Sequence, residues 1–142
     1  MVNKTLVGIT TALHNAFGDS YHYYVENVKQ HLTTPCFTAD VLNPIKRSVN
    51  DKHYYCIVPC VIHYFTDDKI NSKADCYSIG EQTLECLEYI NIDGQVVRGE
   101  EMSYSLVDDV LQIFITYRFW TAKVVQIPDD MEGVEINNPS VN

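Results

Sequence analysis

The segment from His53 to Phe65, HYYCIVPCVIHYF, constrains the fold of this chain most strongly. It contains no Asp, Glu, Lys or Arg, and apolar side chains occur at both odd and even positions. Such a run is typical of a central strand that is covered on both faces. Pro59 lies in its middle and has no N–H to donate. We therefore expect either a bulge there or a point at which the neighbouring strand has ended.

Two amphipathic patterns predict helices. The apolar face of the first is formed by residues spaced by three or four, namely Leu6, Ile9, Leu13 and Phe17. Asn3 is a candidate cap at its start, and Gly18 is expected as a left-handed residue at its end. The second covers residues 72–90, where Ser72 and Asp75 resemble a capping box. Gly80 in this helix predicts close packing on a sheet, and we interpret its glutamates as a solvated face.

The remaining apolar segments predict strands at about residues 21–28 and 36–42, and in QVVR (95–98), MSYSLV (102–107) and VLQIFITYRFW (110–120). The segment IKRSVND is polar and predicts a loop or the tip of a long hairpin. Because helices and strands do not alternate strictly, we expect an α+β fold. Two helices would pack on a mainly antiparallel or mixed sheet of four to six strands. Residues 1–127 would form one domain, and the acidic residues 128–142 a flexible tail.

The chain of 142 residues has 19 acidic and 10 basic side chains, a formal net charge of −9. Proteins that read nucleic acid normally carry a basic surface, so this balance disfavours such a role. An acidic surface would instead let DNA pass without sticking. The N-terminal segment does not resemble a signal peptide, and no apolar run reaches the length needed to cross a bilayer. We expect a cytosolic protein with reduced thiols.

The five cysteines do not form a metal-site pattern. Cys56 and Cys60 would share one face of a strand, but about 13 Å apart by strand rise, which is too far for one metal ion. We interpret the thiols as buried small hydrophobes. No nucleophile elbow, phosphate-binding glycine loop or metalloprotease motif is present in the sequence. We therefore predict no catalytic residues, no cofactor and no metal.

Tyrosines are concentrated in the segments predicted as strands. Tyrosine is common at protein interfaces because a large apolar ring carries a polar tip. Half-buried sheet positions favour the same residue. For the group near residues 21–24, the sequence leaves both interpretations open.

Three segments, in order, resemble the phage tail terminator proteins of Gram-positive phages and prophages. They are ALHNAFGDSYHYYVENVKQHLTTPCF, NPIKRSVNDKHYYCIVPCVIHYF and MSYSLVDDVLQIFITYRF, with IHYF at 62–65 as the clearest match. The likeness covers most of residues 1–120 and concerns structural positions, since the family has no catalytic residues to match. Nothing after Pro128 resembles the family.

The resemblance implies a mechanical role. Terminator subunits assemble as a ring, usually a hexamer, on the end of the tail tube, where they stop polymerisation and offer a docking surface to the head or neck. The implied partners are other copies of the chain, the tail tube protein and a head completion or neck protein, with DNA only as passing cargo. No membrane partner is implied. The implied location is the host cytoplasm during assembly and then the virion tail.

The candidate assembly interface lies in two segments. The residues that we assign to it are Tyr23, Tyr24, Glu26, Lys29, Gln30, His31, Lys46 and Arg47. The first six belong to a polar stretch that ends at a proline, and the last two are basic points on an acidic protein that could meet an acidic partner. Two alternatives remain: another head–tail joining protein, or a small cysteine-dependent enzyme or ligand-binding domain.

Overall fold

A computed structural model describes residues 1–25, 32–66 and 73–124 of the chain. In chain order its elements are α1 (Val2–Phe17), β1 (His22–Val25), β2 (Cys36–Val41), β3 (Ile45–Ser48), β4 (His53–Phe65), α2 (Lys73–Leu87), β5 (Tyr89–Ile92), β6 (Gln95–Val107) and β7 (Val110–Ala122). The α+β class expected from the sequence is confirmed.

The described strands form one mixed sheet in the order β1-β2-β4-β7-β6-β5, and β3 pairs with β4 beyond the end of β2. Among these strands only the β1–β2 pair is parallel, and the other pairs are antiparallel. The described part of the sheet has seven strands, which is more than the four to six expected. The difference arises because IKRS pairs as strand β3, and because Tyr89–Ile92 forms a separate strand β5.

Strand β4 is central, as its apolar sequence predicts. It pairs with β7 on one side, and with β2 and then β3 on the other. Strand β2 pairs with residues 60–65 of β4, and β3 pairs with residues 54–57. Pro59 lies between these two paired segments, and its carbonyl accepts a hydrogen bond of 2.8 Å from the Leu42 N–H. The missing N–H of Pro59 therefore falls where one neighbouring strand has ended and the next has not begun. The register with β7 runs through Pro59 without a bulge.

Both helices pack on one face of the sheet, called here the inner face. Alternate residues of β4 and β7 point into this core, and they are paired across the strands: Cys56 with Phe119, Val58 with Tyr117, Cys60 with Ile115, Ile62 with Ile113 and Tyr64 with Leu111. Leu6, Ile9 and Leu13 of α1 are buried in the same cluster. Helix α1 contacts β1 and β2 near one edge and β5 at the other, so the sheet curls around it.

The close approach of α1 to β5 depends on Gly8. A Cβ atom at this position would clash with the backbone carbonyl oxygen of Asn91 in β5. Gly80 of α2 lies similarly close to the Tyr104 ring, whose nearest carbon is 3.0 Å from the place that a Cβ atom would occupy. The close packing predicted for Gly80 is therefore confirmed. In each of the two described helices, a glycine lies where the helix closely approaches the sheet.

The helix ends differ in part from the expectations. The cap of α1 is Met1 rather than Asn3, with no side-chain hydrogen bond at the cap. Gly18 has a positive φ of 82° as expected, but its ψ of −164° lies outside the left-handed helical region. Helix α2 ends at Leu87 rather than at residue 90, because Tyr89 and Ile90 pair with β6. The capping box proposed at Ser72 lies outside the described residues.

Strand β6 joins two segments that the sequence predicts as separate strands. Its register with β7 shifts between Glu100 and Ser103, and Glu101 there has a φ of 55°. Arg118 of β7 donates to Glu100 Oε1 at 2.7 Å and to Glu101 Oε1 at 2.6 Å. Hydrogen bonds to Glu101 and Glu100 raise the pKa of the Arg118 guanidinium. This ion-pair cluster holds the irregular part of β6 against its neighbour.

Candidate assembly interface

Tyr23 is a packing residue on the inner side of β1. Its ring is stacked on Phe37, with 5.9 Å between centroids and 4° between planes. Its hydroxyl donates to the Gly18 carbonyl at 2.7 Å, and burial raises its pKa. Tyr23 therefore anchors the end of α1 to the sheet edge, and only its remaining exposed part is available to a partner.

Tyr24 points to the opposite side of β1, because successive side chains of a strand alternate. It is half-buried, and its hydroxyl accepts a hydrogen bond from the Thr33 N–H at 3.1 Å. The parallel pairing with β2 leaves the other edge of β1 at the end of the described sheet. Glu26, Lys29, Gln30 and His31, which the sequence assigns to the same interface, lie outside the described residues.

Lys46 and Arg47 lie on strand β3, not in a loop, and both are exposed. They point to opposite faces of the sheet: Lys46 pairs with Cys56 on the inner face, and Arg47 pairs with Tyr55 on the outer face. The Lys46 ammonium lies 4.3 Å from the centroid of the Tyr54 ring, a cation–π contact. Tyr55 in turn pairs with Trp120.

The fold adds cations to this region that sequence reasoning missed. The Lys123 ammonium lies 5.0 Å from the same Tyr54 ring and donates to Ser48 Oγ at 2.7 Å. Lys52 is exposed in the turn between β3 and β4. We call this group the basic end of the sheet: Lys46, Arg47, Lys52 and Lys123. Lys123 follows β7, far along the chain, so only the β4–β7 register could have identified it.

The basic end also presents aromatic rings. Trp120 is 50% exposed, and its ring lies 5.0 Å from that of Tyr55. Within the described residues, no salt bridge involves a cation of the basic end. Asp51 is the acidic residue of the same turn. Exposed aromatic rings such as Trp120 are enriched at protein interfaces, and cations without a salt bridge on an acidic protein favour an acidic partner.

The thiols lie in packed surroundings. Cys36, Cys56, Cys60 and Cys76 are buried, and Cys86 is half-buried. Burial raises the pKa of Cys60 to about 12 and that of Cys86 to about 11. Both thiols are therefore protonated at neutral pH and are poor nucleophiles. Across residues 1–25, 32–66 and 73–124, no three His, Cys, Asp or Glu side chains are grouped as metal ligands.

A groove of about 570 Å³ runs between α1 and β5. It is open along its length, and the exposed ion pair between Lys4 and Asp93 borders it at 2.7 Å. Val7 and Tyr89 contribute apolar surface, at 60% and 58% exposure. The two charged side chains of its lining neutralise one another and face solvent. The groove therefore gives no specific support to an enzymatic site.

A family model described as phage tail terminator protein matches residues 5–129. The match begins within α1 and extends past the end of β7. The chain therefore belongs to the phage tail terminator family. Its role is accordingly one of phage tail completion, and it is a tail component of the virion. Among the described residues, neither helix is long and apolar enough to cross a membrane.

No curated protein matches the sequence. Among solved structures, a protein that carries no functional name is similar with a TM-score of 0.43 and 11% identity, over 84% of this chain and 96% of that chain.

Proposed function

We propose that this chain is a tail terminator subunit that assembles as a ring, expected to be a hexamer, on the last ring of the tail tube. The ring stops tube polymerisation and provides the docking surface for the head or neck. Its partners are further copies of the chain, the tube protein and a neck or head completion protein. The observation that carries the proposal is the family match over residues 5–129.

Several features of the molecule support a role in assembly without catalysis. The cations of the basic end have no carboxylate partner among the described residues. The two described thiols with the largest pKa shifts are protonated and packed. A closed ring requires two different surfaces on each subunit that fit one another.

Tail length in a phage that lacks the gene is the direct test. We expect tubes of irregular, extended length that fail to join heads, and normal length after the gene is restored. Normal tails in the deletion strain would contradict the proposal. Electron microscopy of negatively stained lysates measures both outcomes.

Purified components distinguish the terminator from another head–tail joining protein. The protein should bind the ends of tubes taken from the deletion strain, and bound tubes should not elongate when tube protein is added. Binding to a portal complex instead of to tube ends would favour the neck protein. The test rests on tube length distributions before and after addition of the protein.

A further inference from the structure

A second charged surface, of opposite sign, is built from α2 and the β6–β7 turn, elements that contribute nothing to the basic end. Helix α2 exposes Glu81 and Glu85, and the turn between β6 and β7 exposes Asp108 and Asp109. Two tyrosines, Tyr77 and Tyr104, lie beside these carboxylates, with ring centroids 5.9 Å apart. We call this group of six residues the acidic surface.

The carboxylates of the acidic surface form no salt bridge within the described part of the chain, and Lys73 is the one cation that lines their grooves. No described salt bridge includes Glu81, Glu85, Asp108 or Asp109. Glu81 and Glu85 are four residues apart on one helix, a spacing at which like charges destabilise the helix slightly. They line a shallow groove of about 490 Å³ with Tyr104, and Tyr77 lines a second groove with Asp108 and Asp109.

Asp108 and Asp109 of the acidic surface lie at the opposite end of the long strands from Lys123, and Glu81 and Glu85 lie along α2 between that end and the middle of β7. Asp108 and Asp109 immediately precede β7, whereas Lys123 immediately follows it. A strand of 13 residues is roughly 40 Å long. Helix α2 begins near the β6–β7 turn, because Lys73 and Tyr77 line a groove with Asp108 and Asp109. Each subunit therefore presents a cationic, aromatic end and an anionic surface with tyrosines in different directions.

We propose that the basic end of one copy docks on the acidic surface of the next copy. The inference rests on the proposed ring assembly and names the surfaces that would form its repeating contact. A second copy fits because the chain itself carries both complementary surfaces, separated as a head-to-tail contact requires. Lys46 and Lys123, which converge on the Tyr54 ring, meet the Glu81 and Glu85 carboxylates, and the tyrosines of the acidic surface supply apolar contact area.

Charge reversal on each surface tests the pairing. One variant is Lys46→Glu/Lys123→Glu, and the other is Glu81→Lys/Glu85→Lys. In each variant alone, like charges face each other at every contact. We expect self-association to weaken at least about tenfold, and we expect neither variant to restore tail length in the deletion phage.

The mixture of the two variants is the decisive sample. The reversed basic end of one variant matches the reversed acidic surface of the other, and their unchanged surfaces still match. An alternating ring with an even number of subunits can therefore close. We expect equal numbers of both variants in the assembly by native mass spectrometry, and restored tail length when both are co-expressed.

Lys4→Glu/Arg98→Glu is the matched control. It changes the net charge by the same amount as the Lys46→Glu/Lys123→Glu variant, and both positions lie near the β5 edge, away from the basic end. We expect this variant to assemble and to restore tail length as the unchanged chain does. If it fails equally, net charge rather than the named surfaces governs assembly, and the inference is wrong.

The remaining outcomes separate this inference from the proposed function. If the single-surface variants restore tail length as well as the unchanged chain, the inference is wrong and the terminator function stands. If the unchanged chain does not restore tail length, the proposed function itself fails. The last outcome concerns binding of duplex DNA at physiological salt. If the unchanged chain binds the duplex, and only the Lys46→Glu/Lys123→Glu variant does not, the basic end is a nucleic-acid site and the inference is overturned.

Discussion

The hydroxyl of Tyr117 donates a hydrogen bond of 2.6 Å to the carbonyl oxygen of Leu87, and both residues are fully buried. Tyr117 lies in the centre of β7, and Leu87 is the last residue of α2. Carbonyl groups at the end of a helix have no partner within the helix. The bond therefore satisfies a buried carbonyl and fixes the end of α2 on the sheet. Burial also raises the pKa of the Tyr117 hydroxyl well above its usual range.

Replacement Tyr117→Phe tests this bond. We expect the free energy of unfolding to fall by about 1–3 kcal/mol, because the buried Leu87 carbonyl loses its donor. Tyr89→Phe is the matched control, since Tyr89 is 58% exposed and its loss should change stability by less than about 0.5 kcal/mol. Urea unfolding followed by circular dichroism measures both variants. Equal stability of the two would show that the bond contributes little.

The contact between Gly8 and strand β5 predicts an unusual response to alanine. Alanine favours a helix over glycine by about 1 kcal/mol, yet here its Cβ would clash with the backbone oxygen of Asn91. We expect Gly8→Ala to destabilise the fold by about 1–3 kcal/mol, as overpacking usually does.

Gly80→Ala is the comparison, because its closest contacts, at 3.0–3.3 Å, are side-chain atoms of the half-buried Tyr104. The Tyr104 ring must give way by a few tenths of an ångström, and we expect the helix preference for alanine, about 1 kcal/mol, to offset this cost, so that stability changes little. Thermal unfolding of both variants measures the difference. A stable Gly8→Ala protein would contradict a rigid contact between α1 and β5.

Tyr23→Phe separates packing from assembly at a residue assigned to the interface. Loss of the hydrogen bond to the Gly18 carbonyl should lower the free energy of unfolding by about 1 kcal/mol. If Tyr23 acts only in packing, assembly measured well below the unfolding temperature should be unchanged. Reduced tube binding by a folded Tyr23→Phe protein would instead support a direct interface role. Tyr89→Phe, at an exposed residue that is not assigned to the interface, is the control.

We expect His63 to make the stability of the fold depend on pH. Burial lowers its pKa below the ordinary value of 6.5, while the charge of Asp40 acts in the opposite direction. Below about pH 6.5 the unfolded chain therefore binds a proton that the folded chain does not. Stability should fall as the pH drops from 6.5 through the folded pKa.

The measurement is the difference in unfolding free energy between pH 7.5 and pH 5.5. We expect this difference to shrink in His63→Gln, because the substituted side chain does not titrate. An unchanged difference would assign the pH dependence to other groups. His53, which is exposed at the start of β4, provides the control variant His53→Gln.

The sequence determined the local elements of this protein well. The spacing of Leu6, Ile9 and Leu13 predicted α1, and the continuous apolar run of β4 predicted a central strand. Pro59 predicted either a bulge or the end of a neighbouring strand, and the second alternative is the one observed. These predictions succeeded because helix and strand periodicity, and the missing N–H of proline, act within a few residues of the chain.

The tertiary structure decided which distant residues meet. Lys123 joins Lys46 at Tyr54 only through the pairing of β3 and β7 with β4. Helix α2 ends early because Ile90 gains a partner strand, which its own helical spacing could not indicate. Strand register and sheet curvature depend on contacts between segments far apart in the chain, and no single segment encodes them. The charged surfaces proposed for assembly therefore became visible only in the folded molecule.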